Sequence, residues 1–98
     1  MNSFDKQPTE SYTIAIEFLG KLPSGASLST GTVAGYDIDA NATDNTILAS
    51  TTATISGTQA RVKVQAGSTN KDYKITFSVT LSDSSILEED IIMRVRTI

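Results

Sequence analysis

Chemistry needs side chains that hold protons or ligate metals, and one short run concentrates such groups. It is YDIDANATDN, from Tyr36 to Asn45. Asp37, Asp39 and Asn41 match positions 1, 3 and 5 of a calcium-binding loop. Asp44 and Asn45 add further oxygen donors. Such a loop also asks for glycine at position 6, where the chain turns sharply, and for a bidentate glutamate at position 12. Ala42 and Leu48 stand at those places, and no flanking helix is expected. Asn and Asp also tolerate left-handed backbone and close Asx turns. An Asx-rich turn between two strands therefore explains every residue of the run. Weak calcium binding over Asp37–Asn45, in another geometry, is the alternative. Asn41-Ala42-Thr43 is also a glycosylation sequon, read as coincidence because no signal peptide precedes it.

The second concentration of charge is LEED, Leu87 to Asp90. On a strand, Glu88 and Asp90 share a face and Glu89 points the other way. Paired carboxylates can move protons or bind metal, but they need a pocket and a defined partner. Without these, their expected work is to keep an edge strand from pairing with other molecules. Tyr73, just after a turn at the start of a late strand, is placed like the tyrosine corner of β-sandwiches, whose hydroxyl bonds nearby backbone. Gly20 and Lys21 in GKLPSG lack phosphate-loop spacing and read as a loop.

Histidine and cysteine are both absent from the 98 residues. Their absence removes the usual general base, thiolate metal sites, disulfides and any Ser-His-Asp or Cys-His nucleophile. The reading is therefore a protein that is not an enzyme, with no catalytic residue, no cofactor and no metal. Net charge is -3 and the eight basic residues are scattered, so no basic stripe for nucleic acid is visible. The polar start MNSFDKQPTE lacks the apolar core of a signal peptide, and no run approaches a membrane span.

The elements that would position these residues are strands. About a quarter of the residues are Ser or Thr, alongside many Val and Ile. Tyr12, Ile14, Ile16 and Phe18 alternate with polar or small residues. Leu28, Thr30, Thr32 and Ala34 form one face of a weaker strand, where Gly31 and Gly35 suggest a bulge or close sheet approach. TILASTTATIS resumes strand character, and Gly57-Thr58 fits a tight hairpin into QARVKVQA. Tyr73, Ile75, Phe77, Val79 and Leu81 mark the clearest strand, and ILEEDIIMRVRTI closes the chain. SILEEDII has some helical propensity, which its β-branched neighbours oppose. Six or seven short strands with regular turns predict an all-β, Ig-like antiparallel sandwich with Greek-key connections, ahead of a small barrel. Residues 1–11, broken by Pro8, read as a flexible or contact arm, and 12–98 as the single sandwich domain.

Two stretches resemble a known family. The first is KQPTESYTIAI, with Lys6, Pro8, Glu10, Tyr12 and Ile14. The second runs from Ala66-Gly67 through Tyr73, Ile75, Thr76, Thr80 and Ser82-Asp83 to Glu89, Ile91 and Val95. Their order resembles small tailed-phage or prophage structural proteins of the Ig-like fiber-tail adaptor type. The sequence departs from that pattern where tryptophans are usual, with Ile16 and Thr32 in those areas, and at the last turn, where Ser84 replaces a glycine. The resemblance implies a virion part made in the host cytoplasm. Its partners would be other virion structural proteins, with a homo-oligomer among the forms open to it, and neither nucleic acid nor membrane. The residues expected to touch such a partner are Phe4, Tyr36, Asp37, Asp39 and Asp44. The alternative is an Ig-like adhesin or carbohydrate-binding module of a secreted bacterial protein. A glycan site needs exposed aromatics, and Tyr36 and Phe4 are the two that look free.

Overall fold

The computed structural model of the protein describes residues 2–97. Eight strands follow one another: β1 (Asn2–Lys6), β2 (Tyr12–Glu17), β3 (Leu28–Asp37), β4 (Ala42–Thr43), β5 (Thr54–Ser56), β6 (Gln59–Val64), β7 (Lys71–Leu81) and β8 (Ile86–Val95). One sheet has the order β1-β8-β7-β3-β4 and the other β2-β6-β5. The two sheets pack as a sandwich, as the all-β reading predicts. Short 3₁₀ turns occupy Leu19–Lys21 and Asn45–Ile47. Among the described residues no helix is long and apolar enough to cross a membrane.

The core follows from period-two alternation. Tyr73, Ile75, Phe77, Val79 and Leu81 of β7 are all buried, as are Ile91, Met93 and Val95 of β8. Ala60, Val62 and Val64 of β6 face them from the other sheet, with Ile16 and Phe18 at the end of β2. Gly57 joins β5 to β6 at φ 60°, which suits the first central position of a two-residue hairpin turn. Ser84 stands in the β7–β8 turn at φ 71°, a left-handed conformation that glycine adopts without penalty.

Three expectations need correction. The face assigned to β3 holds only at Leu28. The register slips between Leu28 and Thr30, so the buried positions become Gly31, Val33, Gly35 and Asp37, while Thr30, Thr32 and Ala34 face outward. One extra residue reverses every later side chain. The run from Thr46 to Ser56 is not one strand. Its start coils into the 3₁₀ turn, Leu48 makes an isolated bridge to Val64 of β6, Thr52 bridges to Thr32, and a continuous ladder with β6 forms over Thr54–Ser56. Finally, within the stretch expected as an arm, Asn2–Lys6 lies parallel to β8, from Asn2 opposite Ile91 to Lys6 opposite Val95. Pro8 sits past the end of that strand, at the sheet edge, where a missing N–H costs no ladder bond.

Candidate functional site

The acidic loop forms where β3 ends and the chain reverses into β4. Tyr36 pairs with Thr43 and Asp37 with Ala42, so Ile38 to Asn41 make the turn. Asn41 holds φ 55°, the left-handed conformation expected of an Asx turn. Asp37 points inward and is 6% exposed. One carboxylate oxygen accepts the Ala40 N–H at 3.1 Å, and the other lies 3.0 Å from the Lys71 ammonium. Asp44 turns away from it and caps the following 3₁₀ turn, accepting the Thr46 N–H at 3.0 Å and the Thr46 hydroxyl at 2.5 Å. The Asn45 side-chain oxygen accepts the Gly35 N–H at 2.8 Å. Asp39 is exposed at the tip.

Apart from those of Asp39, these oxygens already accept from donors of β3, the loop and Lys71 and so brace a turn. Among the described residues no group of three or more acidic side chains is placed to hold a metal ion. Titrating calcium to millimolar concentration is expected to give no calorimetric heat and no shift in Tm. A saturable heat abolished by Asp39→Asn would establish a calcium site instead.

The two aromatic candidates differ from their expected freedom. Tyr36 faces outward, half-buried, with the Lys74 ammonium 5.4 Å from its ring centroid and its hydroxyl bonded to the Asn41 side chain. Phe4 faces inward on β1, packs against the core and lies 6.2 Å from the Tyr12 ring. The LEED carboxylates separate as the strand pattern requires. Glu89 pairs with Lys21 at 2.5 Å, and Asp90 accepts the Thr76 hydroxyl at 2.7 Å. The Lys21 ammonium also reaches the Glu88 carbonyl oxygen at 3.1 Å. Only Ile91–Val95 of β8 is covered by β1, so Glu88 and Asp90 do sit on an open length of edge. Tyr73 takes the structural role expected of it: its ring is buried and its hydroxyl accepts the Ser68 N–H at 2.9 Å.

Depressed carboxyl pKa values report the same internal bonding. The Ala40 N–H and then the Lys71 ammonium hold Asp37 below the usual aspartate value. The Thr58 hydroxyl lowers Glu17, and the Ser85 N–H lowers Asp83. A carboxyl with a folded pKa below its unfolded value stabilises the fold fully above the unfolded value and loses that contribution as pH falls through the folded one. Thermal melts are therefore expected to show a Tm that holds from neutral pH down to about pH 4 and drops below it. Asp37→Asn should flatten that acid limb; an unchanged limb would remove Asp37 from the account.

Sequence reasoning named Lys6 only within the family-like motif and gave it no structural role. It is 1% exposed and donates to the carbonyl oxygens of Gln7, Pro8 and Ala66 at 2.9, 3.2 and 2.5 Å. Burial pulls its pKa down, and Glu10 opposes this. The signal that could have found it is its alternation with Phe4 on an inward face, which becomes visible only once residues 2–6 are known to be a strand. Arg61 and Lys63, on the outer face of β6, likewise drew no expectation beyond the strand that holds them.

No convergent catalytic arrangement emerges from these residues; each acidic group serves a turn, an edge or an ion pair. No curated protein matches the chain. The sequence pattern described as podophage GP4 fiber-tail adaptor protein gp77 matches residues 6–94, from the end of β1 to the penultimate residue of β8. That span includes both sheets and the acidic loop, and on it the chain belongs to the podophage GP4 fiber-tail adaptor protein gp77 family of phage tail structural proteins.

Proposed function

We propose that the protein is a non-enzymatic virion part that joins or decorates tail, neck or head components through protein–protein contacts. The family match over residues 6–94 carries this reading. The chemistry agrees with it: the acidic residues brace turns and edges, and the chain has no histidine or cysteine to drive catalysis. Of the contact residues expected from the sequence, Tyr36, Asp39 and Asp44 lie at or near the surface of one loop. Asp37 and Phe4 support from beneath the surfaces that would be offered to a partner. Partners would be other virion proteins, copies of the same chain included.

The glycan-binding alternative gains no specific support, because Phe4 packs inward and Tyr36 is occupied by Lys74 and Asn41. Mass spectrometry and immunogold labelling of gradient-purified particles test the proposal. The expected result is a fixed copy number per particle and label confined to one part of the particle, in the tail, neck or head. Absence from purified particles would overturn it.

A further inference from the structure

Every sheet has edges, and edge strands left open recruit other strands unless something guards them. Four of the edges here are guarded or short. β4 has two residues and β5 three. β1 carries the Asp5–Arg94 ion pair at 2.8 Å and is followed by Pro8. The open length of β8 bears Glu88 and Asp90 and has Lys21 across it. β2 differs. Tyr12–Glu17 is six residues long, carries as its one charged residue Glu17 at its end, bonded to Thr58 and Leu19, and among the described residues pairs only with β6. The Phe18 N–H bonds the Thr58 carbonyl at 2.9 Å, which sets the alternation of the ladder. Tyr12, Ile14 and Ile16 therefore bond toward β6. Thr13, Ala15 and Glu17 direct their backbone groups away from it, to the open side.

The outer face beside that edge carries a defined charge. Thr13 is opposite Lys63 and Ala15 opposite Arg61. Thr13, Arg61 and Lys63, with Ser50, Thr52 and Thr54, line an open groove of about 350 Å³. Lys21, Lys71, Arg94 and Arg96 each hold a carboxylate of their own chain. Arg61 instead donates to the neutral Gln59 side chain, and among the described residues Lys63 has no ion pair. The nearby Glu17 carboxylate is taken by the Thr58 hydroxyl and the Leu19 N–H. In a protein of net charge -3, two cations that have no carboxylate partner among the described residues therefore share one hydroxyl-lined groove next to the one unguarded edge of the described strands.

We propose that the open edge of β2 is a strand-docking site for an extended segment of a virion partner bearing acidic residues at alternate positions. The segment's backbone would continue the sheet through Thr13, Ala15 and Glu17, and its carboxylates would meet Arg61 and Lys63. An added strand lies roughly 10 Å from β6, two strand spacings away. The short side chains of Ala15 and Thr13 leave the path between open, so a long cation and a glutamate can meet over them.

The proposal rests on the reading of the protein as a virion part, and its test is separable from that reading. The probe is an eight-residue peptide alternating valine with glutamate, added to the ¹⁵N-labelled full chain and compared with its glutamine and lysine counterparts. The glutamate peptide is expected to shift the Thr13, Ala15 and Glu17 amides and slow their hydrogen exchange. The glutamine peptide should bind about tenfold more weakly, as loss of two exposed ion pairs implies. Arg61→Gln with Lys63→Gln, which alters only exposed side chains, should bring the glutamate peptide to that same level. Ala15→Pro should abolish binding, since its N–H is not in the β6 ladder; circular dichroism checks that it folds. No shift at β2 with millimolar peptide, shifts confined elsewhere, or equal binding of the glutamine peptide would overturn the proposal. So would light scattering showing that β2 is already occupied by a second copy of the chain. Presence in particles with no peptide response would defeat this inference alone; absence from particles defeats the virion reading whatever the peptide does.

Discussion

Phe77→Ala lowers the unfolding free energy by about 4 kcal/mol, the range expected when a fully buried phenylalanine is cut back in a core that cannot collapse. Phe77 is 0% exposed and sits in the middle of β7, the strand flanked by β3 and β8. Val33 is its neighbour on one side and the Glu89 position on the other. Truncation removes contacts from both sheets at once, and the hydrogen-bonded ladders around it resist closing the void. A domain of this size has roughly 5–15 kcal/mol of stability in all, so this one change removes a large share. Tm should fall by about 20 °C. Urea titration followed by circular dichroism should move the midpoint while the slope stays constant. Phe77→Leu, which keeps most of the volume, should cost only about 1 kcal/mol. Equal losses for the two variants would mean that the ring does not fill a packed site.

Gly35→Ala is expected to cost about 3 kcal/mol through overpacking, the opposite fault. A β-carbon at Gly35 would run into the carbonyl oxygen of Asp44 and lie 2.9 Å from Ile47 Cγ1. The first obstacle is backbone and cannot rotate aside. The Asp44 N–H is also bonded to the Gly35 carbonyl at 3.0 Å, so the two segments are held together from both directions. Alanine must therefore push the 3₁₀ turn off β3 and loosen Ile47 from the core. Hydrogen exchange should report this as lost protection at the Asp44 amide, beyond the fall in global stability. Gly20→Ala is the matched control, because nothing lies within 4 Å of a β-carbon there, and its effect should stay within about 0.5 kcal/mol. Similar losses at both positions would remove close approach as the cause.

The two substitutions also mark what could be read in advance. β7 was legible because one face is buried and the other is not, which writes a period of two into its residues. The hairpin at Gly57 and the buried Tyr73 were legible for local reasons of turn geometry and position. The inward face of β3 was not, because the slip at Leu28/Thr30 changes phase without changing composition. The 3₁₀ turn after Asp44 was missed because β-branched Thr46 and Ile47 suit a strand, while the cap that coils them lies two residues before the run. β1 was missed because its partner is far along the chain, so no neighbouring residue carries a sign of it. Of the acidic loop, its nature as a turn was legible from Asn and Asp. The inward aim of Asp37 was not, since it depends on the same slip in β3.

The pairing of β1 with β8 bears on how the molecule comes into being. Asn2 meets Ile91, and Asp5 meets Arg94 across 89 positions. At ribosomal speeds of roughly 5–20 residues per second, β1 waits seconds for β8 to be made. Until then β1 has no sheet to join, and Phe4 and Lys6 have no interior to enter. Of the eight strands the one made earliest must wait for the one made latest, so the larger sheet is sealed only once β8 is out.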